Sequence, residues 1–316
     1  MSNLETDPRE SACGGLADVV AEPVTEVLAG RDVVLGGPRA MKVTRTLPNR
    51  DIRMVGAWCF VDHYGPEKTT MSVPPHPHTG LQTVSWLVEG EILHRDSLGS
   101  EQLIRPGRLN LMTAGRAISH SEESAAEAAL HGVQLWVALP SAARETAPAF
   151  EHHPVLPELT LPGARVTVIM GELGGVTSPA TVHTPLVGAE VRLEAGAAIS
   201  VPLRPGFEYA ALALSGTVRV DETDLSPGPL LYLGSGRSAL SIGAEDAGRL
   251  LLIGGEPFEE RIVMWWNFVG RSHEEIARFR QEWMKGEEFG TVPGGAAPLP
   301  APELPLTALK ARGRRR

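Results

Sequence analysis

The chain has 316 residues, 42% hydrophobic and 21% charged, with a formal net charge of -9. That length fits about two domains, each large enough to bury a core, and the composition is globular rather than disordered. The acidic balance excludes a general nucleic-acid binder, which needs a basic face to displace counterions, and no apolar run approaches the roughly 18 residues of a membrane span.

Met1 to Glu10 is acidic and lacks the positive start and apolar stretch of a secretory signal. The two cysteines, Cys13 and Cys59, make no disulfide framework. A cytoplasmic protein is expected. Residues 1–30 show no sustained periodicity and are expected as a tail, with ordering on the body left open and Leu16 to Val24 able to form a short helical turn.

Strand signals begin at Asp32-Val33-Val34-Leu35. Met41 to Leu47 alternates apolar and polar residues, the period of a half-buried strand, and Val55 to Val61 is almost continuously apolar, which suits a fully buried one. Asp62-His63-Tyr64-Gly65-Pro66 is expected to end that strand in a turn. Thr69 to Pro75 reads as a loop, because Pro74, Pro75 and Pro77 oppose helix and central strand alike. Thr83 to Val88, Glu91 to Arg95, Glu101 to Ile104, Leu109 to Met112 and Gly132 to Leu139 follow as short strands. Their spacing of about ten residues, with Gly and Pro turns between, expects a sandwich or barrel.

A Pro-, Ala- and His-containing stretch reads as a connection, and a second β series starts at Arg165 to Met170 and runs to Leu250 to Ile253. The two series look like repeats of one unit. Pro106-Gly107-Arg108-Leu109 matches Pro227-Gly228-Pro229-Leu230, and Gly115-Arg116 matches Gly236-Arg237 at the same offset. One helix follows: Ser272 as N-cap, Glu275 completing a capping box, Ile276, Phe279, Trp283 and Met284 as an apolar stripe, and Gly286 as the stop. Beyond Gly290 the Gly-, Ala- and Pro-rich segment has little to bury and ends in the basic cluster Lys310 to Arg316. The expected organisation is a tail (1–30), a first barrel (31–145), a linker (146–162), a second barrel with the helix (163–289) and a flexible basic tail (290–316).

Two pairs of side chains carry the chemistry. His76-Pro77-His78 and His120-Ser121-Glu122 share an i, i+2 spacing, and i and i+2 face the same way along a strand. On neighbouring strands they would bring three imidazoles and one carboxylate to a point. Such a donor set suits first-row divalent ions: open positions favour non-haem Fe(II), while manganese, nickel, copper and zinc stay chemically open. Glu122 is either a ligand or an ion-pair partner. His63, His94, His131, His183 and His273 stand alone and are expected to be satisfied core or surface residues. His152 and His153 would face opposite ways on a strand.

Five runs then carry a resemblance: Leu47-Pro48-Asn49-Arg50, Asp62-His63-Tyr64-Gly65-Pro66, His76-Pro77-His78-Thr79-Gly80, Met112-Thr113-Ala114-Gly115-Arg116 and His120-Ser121-Glu122. With His131 to Val137 and Trp266-Asn267-Phe268-Val269, they resemble the pirin family of the cupin superfamily over about residues 33–285. The resemblance implies an all-β bicupin, two cupin-type β-barrels with the C-terminal helix packed on them, and one iron in the first barrel. It places the metal ligands on His76, His78, His120 and Glu122. Many cupins carry a glutamate after the HxH, but this chain has Gln82. In the second barrel, Pro202, Arg204, Ser241 and Gly243 align with the four ligands, so no metal site is expected there.

Some family members are similar to quercetin 2,3-dioxygenases, which implies a flavonol and O2 as substrates and Glu122 as ligand and base. Trp86, Phe60, Leu111 and Met112 would then line an aromatic pocket, or else form plain core. The resemblance also implies an alternative: an iron- and redox-dependent regulator that acts through a protein partner without turnover. A third reading is a metal-binding protein whose flavonol activity is incidental.

Overall fold

Short strands punctuated by glycine and proline turns build this chain into two barrels of matching topology. The computed structural model describes residues 11–13, 23–35, 41–125, 127–294, 296–311 and 314. Residues 14–22, which hold most of the expected helical turn, and most of the basic end lie outside the described residues.

In the first barrel a larger sheet runs in the order Ala149–His153, Leu109–Thr113, Leu81–Glu89, Ala128–Ala138, Trp58–Thr69, Met41–Leu47 and Arg31–Leu35. It faces a smaller sheet, Ser72–His78, Ile118–Ser124, Ile92–Asp96 and Glu101–Ile104. The second barrel repeats the plan. Its larger sheet runs Glu158–Leu161, Ala164–Leu173, Leu186–Leu193, Gly248–Gly255, Glu208–Ser215, Leu230–Gly234 and Pro23–Leu28. Its smaller sheet is Ala198–Pro202, Ala239–Gly243, Val218–Val220 and Thr223–Leu225. The duplication suggested by the Pro-Gly turns is therefore a duplication of structure. No helix among the described residues is long and apolar enough to cross a membrane.

Several local expectations need correcting. The proline-rich run is a strand, not a loop: Ser72–His78 sits at the edge of its sheet and pairs on one side only, where missing N–H donors are tolerated. The strand from Trp58 does not stop at Asp62 but continues to Thr69, with a register shift opposite Leu130 and Gly132. Gly65 sits there at φ 78, against the Leu130 carbonyl, and leaves no room for a side chain. Pro23–Leu28, expected in the tail, is a strand that joins the second barrel beside Leu230–Gly234. The connection holds two strands, Ala149–His153 on the first barrel and Glu158–Leu161 on the second.

The helix His273–Lys285 has the expected ends: Ser272 Oγ accepts from Glu275 N–H, and Gly286 closes it in the left-handed conformation. The Glu275 carboxylate reaches Arg271 N–H and Arg144 rather than Ser272. Ile276, Phe279 and Trp283 are buried, but Met284 is 49% exposed, because it lies one residue round from the stripe. Beyond Gly290 the chain buries more than its composition suggests. Val292, Ala301 and Leu309 are buried, Trp283 Nε1–H donates to the Leu299 carbonyl, and Leu299 N–H donates to Pro75 O. This segment covers the open edge of Ser72–His78.

The largest apolar cluster joins the two barrels, with Trp58, Val61, Val84, Trp86 and Leu135 of the first against Leu212, Leu251 and Ile253 of the second. Trp58 is its key. The indole N–H lies 3.1 Å from both Val187 O and Gly254 O, and a Cβ on Gly188 would meet the ring at 3.0 Å. Beside it, Glu208 accepts from Gly56 N–H, Tyr232 Oη–H and Arg314 Nη1–H, so the far end of the chain is tied to the seam. Trp58→Ala should lower stability by about 3–5 kcal/mol in chemical denaturation. The exposed Arg219→Ala should stay within about 0.5 kcal/mol of the parent chain.

Candidate metal centre

Strand pairing assembles the site. Ser72–His78 pairs with Ile118–Ser124 so that His76 lies opposite His120 and His78 opposite Ile118. On its other side Ile118–Ser124 pairs with Ile92–Asp96, which sets His120 opposite Asp96 and Glu122 opposite His94. Period-2 alternation then puts His76, His78, His94, Asp96, His120 and Glu122 on one face. All six are buried inside the first barrel.

The three imidazoles of His76, His78 and His120 form a compact group. His120 Nε2 lies 2.8 Å from His76 Nε2 and 3.1 Å from His78 Nε2. His76 Nδ1 is 2.8 Å from the Pro74 carbonyl, and His78 Nδ1 is 3.2 Å from the Asn267 carbonyl. A carbonyl only accepts, so both Nδ1 atoms carry protons and both Nε2 atoms turn lone pairs toward His120. One proton can bridge only one of these two contacts, whereas a shared cation suits every nitrogen of the group.

Burial reinforces this chemistry. It pushes His76 down to about 4, and it holds His78 and His120 well below the ordinary histidine value, with neighbouring imidazoles adding to the effect. The rings are neutral at neutral pH, the form that binds a metal. The donor set therefore fits a first-row transition metal.

Glu122 groups with His120 and His94 rather than with all three histidines of the triad. Its Oε1 lies 3.4 Å from Ser85 Oγ, which is 3.0 Å from Gln134 Oε1. Close by, burial first and the Glu122 carboxylate second push the Tyr64 phenol well above its usual value, and its hydroxyl has no hydrogen-bond partner among the described residues. Gln82 stays out of the metal group: its Nε2–H donates to Thr113 Oγ1 and to the Thr181 carbonyl.

Of the residues expected to line the pocket, Phe60 stands near the triad while Trp86 and Leu111 do not. Ser85 faces Glu122, so Trp86 faces the other way, into the seam between barrels, and Leu111 shares that face through its pairing with Val84. The ring beside the triad is Trp136, 5.2 Å from His78 between centroids and stacked on Phe60 at 4.1 Å. Arg45 lies over Phe60 and makes a buried bidentate pair with Asp62 at 2.7 and 2.8 Å.

Two contributors were not expected from sequence. His94 is no isolated histidine, for its Nδ1 lies 3.3 Å from His120 Nδ1. Asn267 comes from the loop after the second barrel, where Trp266 sits at φ 53, a conformation side chains rarely adopt. Tryptophan neighbours in the quoted motif marked this segment without revealing its task.

In the second barrel, Pro202, Arg204 and Ser241 are exposed, and Gly243 shares the outward parity of Ser241. Ile199, Val201, Leu240 and Ile242 fill the interior instead. The offset by turns was one residue out of phase with the inward face. Both metal-capable groups among the described residues lie in the first barrel. Surface cavities of about 870 and 620 Å³ lie elsewhere, near Arg219 and Phe258, and contain no histidine.

The family models for Pirin and for the Pirin C-terminal cupin domain match residues 40–137 and 188–290. The chain belongs to the pirin family. It is 44% identical over 291 residues to a Pseudomonas aeruginosa protein provisionally named a quercetin 2,3-dioxygenase, covering 90% of this chain and 92% of that one. The crystal structure of a quercetin 2,3-dioxygenase from Acinetobacter baumannii matches with a TM-score of 0.86 and 42% identity, over 90% of this chain and 98% of that one. A bacterial pirin of Escherichia coli in complex with nickel(II) shares the fold, at 18% identity and a TM-score of 0.59 over 74% of this chain and all of that one. The histidine triad is thus a buried metal site in a pirin bicupin.

Five other histidines have partners among the described residues, and burial lowers His183 below the ordinary histidine value. His152 bonds Asn110, His153 bonds Glu151, and His273 Nδ1 accepts from Leu309 N–H. His63 and His131 form a pair with Nε2 atoms 3.0 Å apart, and burial, then His131, lowers His63 from 6.5 to about 4. Between those values the unfolded chain takes up a proton that folded His63 refuses, so stability is full above pH 6.5 and falls as pH drops toward about 4. His63→Phe should flatten that slope in pH-dependent denaturation. Metal analysis should find on the order of one first-row ion per chain, lost in His76→Ala, His78→Ala and His120→Ala.

Proposed function

We propose that this pirin-family chain is a metal-dependent dioxygenase that opens a flavonol such as quercetin with O2. Fe(II) is the favoured metal, held by His76, His78, His120 and Glu122. The observation that carries the reading is the convergence of neutral imidazole nitrogens in a buried barrel interior. The names carried by the Pseudomonas and Acinetobacter relatives, similar over nearly the whole chain, support the substrate class. The nickel-bound Escherichia coli pirin is consistent with a donor set that manganese, nickel, copper and zinc also suit.

When bound, the metal would supply a Lewis acid for the flavonol oxygens and a redox centre for O2. The protein's own groups do the rest. Glu122 accepts the proton of the flavonol hydroxyl, at a carboxylate steadied by Ser85. Tyr64, neutral and buried, offers its hydroxyl to a substrate oxygen. Trp136 and Phe60 supply an apolar wall beside the triad. Burial excludes water, which strengthens each of these polar interactions.

The matching organisation is a metal-bearing barrel over residues 31–145, joined by Ala149–His153, and a second barrel over 163–289, joined by Pro23–Leu28 and Glu158–Leu161, with no metal-capable group among its described residues. A reducing cytoplasm suits the buried free thiol of Cys59.

The test is O2 consumption by Fe(II)-loaded protein with quercetin. Metal-dependent uptake with ring opening is expected, and Glu122→Gln should lower kcat/KM by roughly 10²-fold or more. If the loaded wild type consumes no O2 across a flavonol panel, the dioxygenase reading fails. A comparison of protein partners captured by Fe(II) and Fe(III) forms then addresses the regulatory alternative.

A further inference from the structure

We propose that His94 and Asp96 are positioning residues that set the tautomer of His120, through a hydrogen-bonded relay ending at the nitrogen that faces the metal. The proposal rests on the metal-site reading above and assigns it two further residues.

The relay starts at a fixed carboxylate. Asp96 Oδ1 accepts from Leu98 N–H at 2.9 Å and Ser100 N–H at 3.0 Å, within the turn after its strand. Its other oxygen, Oδ2, lies 3.1 Å from His94 Nε2. An ionised carboxylate only accepts, so the tautomer of the neutral ring that fits carries its proton on His94 Nε2 and keeps a lone pair on Nδ1. That lone pair faces His120 Nδ1 at 3.3 Å. His120 therefore carries its proton on Nδ1, and its Nε2 lone pair joins those of His76 and His78.

Geometry holds the relay in line. His120 and Asp96 are cross-strand partners, as are Glu122 and His94, so both relay residues share the inward face with the triad. Phe150, from the strand Ala149–His153, stacks on the His94 ring with centroids 4.5 Å apart and planes 17° apart. Asp96 is wholly buried and His94 nearly so, which leaves the relay little water to compete with. His76 and His78 take their tautomers from backbone carbonyls, whereas His120 lies on a central strand and takes its tautomer from side chains. A carboxylate that orients a metal-binding histidine is a known device, and losing such a partner typically costs 10–100-fold in metal affinity. Here the device is one imidazole longer.

Asp96→Asn is the discriminating variant. Its Oδ1 keeps the two turn bonds, while its Nδ2–H donates to His94 Nε2. That moves the His94 proton to Nδ1 and the His120 proton to Nε2, against the metal. Histidine-labelled apo-protein, read by long-range ¹H–¹⁵N correlation, should show His120 protonated on Nδ1 in wild type and on Nε2 in Asp96→Asn. Co(II) titration followed by visible absorption should show about 10–100-fold weaker binding in Asp96→Asn and in His94→Phe, which keeps the stack on Phe150. His94→Asn, which restores an acceptor near the Nδ1 position, should recover most of the affinity.

Wild-type His120 protonated on Nε2, or on both nitrogens, overturns the relay. So does Asp96→Asn with unchanged tautomer and affinity within twofold of wild type. If the tautomers are as expected but wild type binds no Co(II), the relay stands and the metal reading falls.

Discussion

Each ring of the triad is held from behind, and that is what turns three buried histidines into one donor set. His76 is held by the Pro74 carbonyl of its own strand, and His78 by the Asn267 carbonyl, contributed from beyond the second barrel. His120 meets His94. The anchors come from three parts of the chain, and each must be in place for the Nε2 atoms to converge at 2.8 and 3.1 Å. Local sequence supplies the ligands, but tertiary structure supplies their orientation.

The second barrel accordingly does more than fill space. Its interior is apolar, and Ile199, Val201, Leu240 and Ile242 stand on the inward face of the sheet that corresponds to the metal-bearing one. A polar interior is stable only where its groups are satisfied, and a duplicate without ligands gains by becoming hydrocarbon. Past Gly255, however, the chain crosses back. Thr79 pairs with Phe268, Val269 N–H donates to the Thr79 carbonyl, and the turn at Trp266 delivers Asn267 to His78. One half carries the ligands, and the chain beyond the other takes a share in holding them.

Much of this was legible in the sequence. The i, i+2 spacing of the two motifs is a statement about strand faces, and it sufficed to bring His76, His78 and His120 together. Pro-Gly turns at matching offsets exposed the duplication, and Ser272 with Gly286 marked the helix ends. The errors have physical causes. Prolines 74, 75 and 77 argued against a strand because nothing local says that a strand will be an edge. His94 looked solitary because His120, the ligand it meets, is 26 residues away along the chain and becomes a neighbour only by strand pairing. A single residue of phase turned the second-barrel alignment outward, since period 2 allows no half measures. The tail beyond Gly290 looked unemployed because the edge it covers is invisible in composition.

The N-terminal strand has a consequence for how the molecule is made. Pro23–Leu28 precedes the first barrel in the chain yet pairs with Leu230–Gly234, as in Val27 against Leu231. During synthesis this strand emerges early and must wait about 200 residues for its neighbour, while an entire barrel is completed in between. Loop closure on that scale raises contact order and slows the last stage of assembly. The two barrels are thus threaded together, and cutting the chain between them would leave the second sheet short of a strand carried by the other fragment.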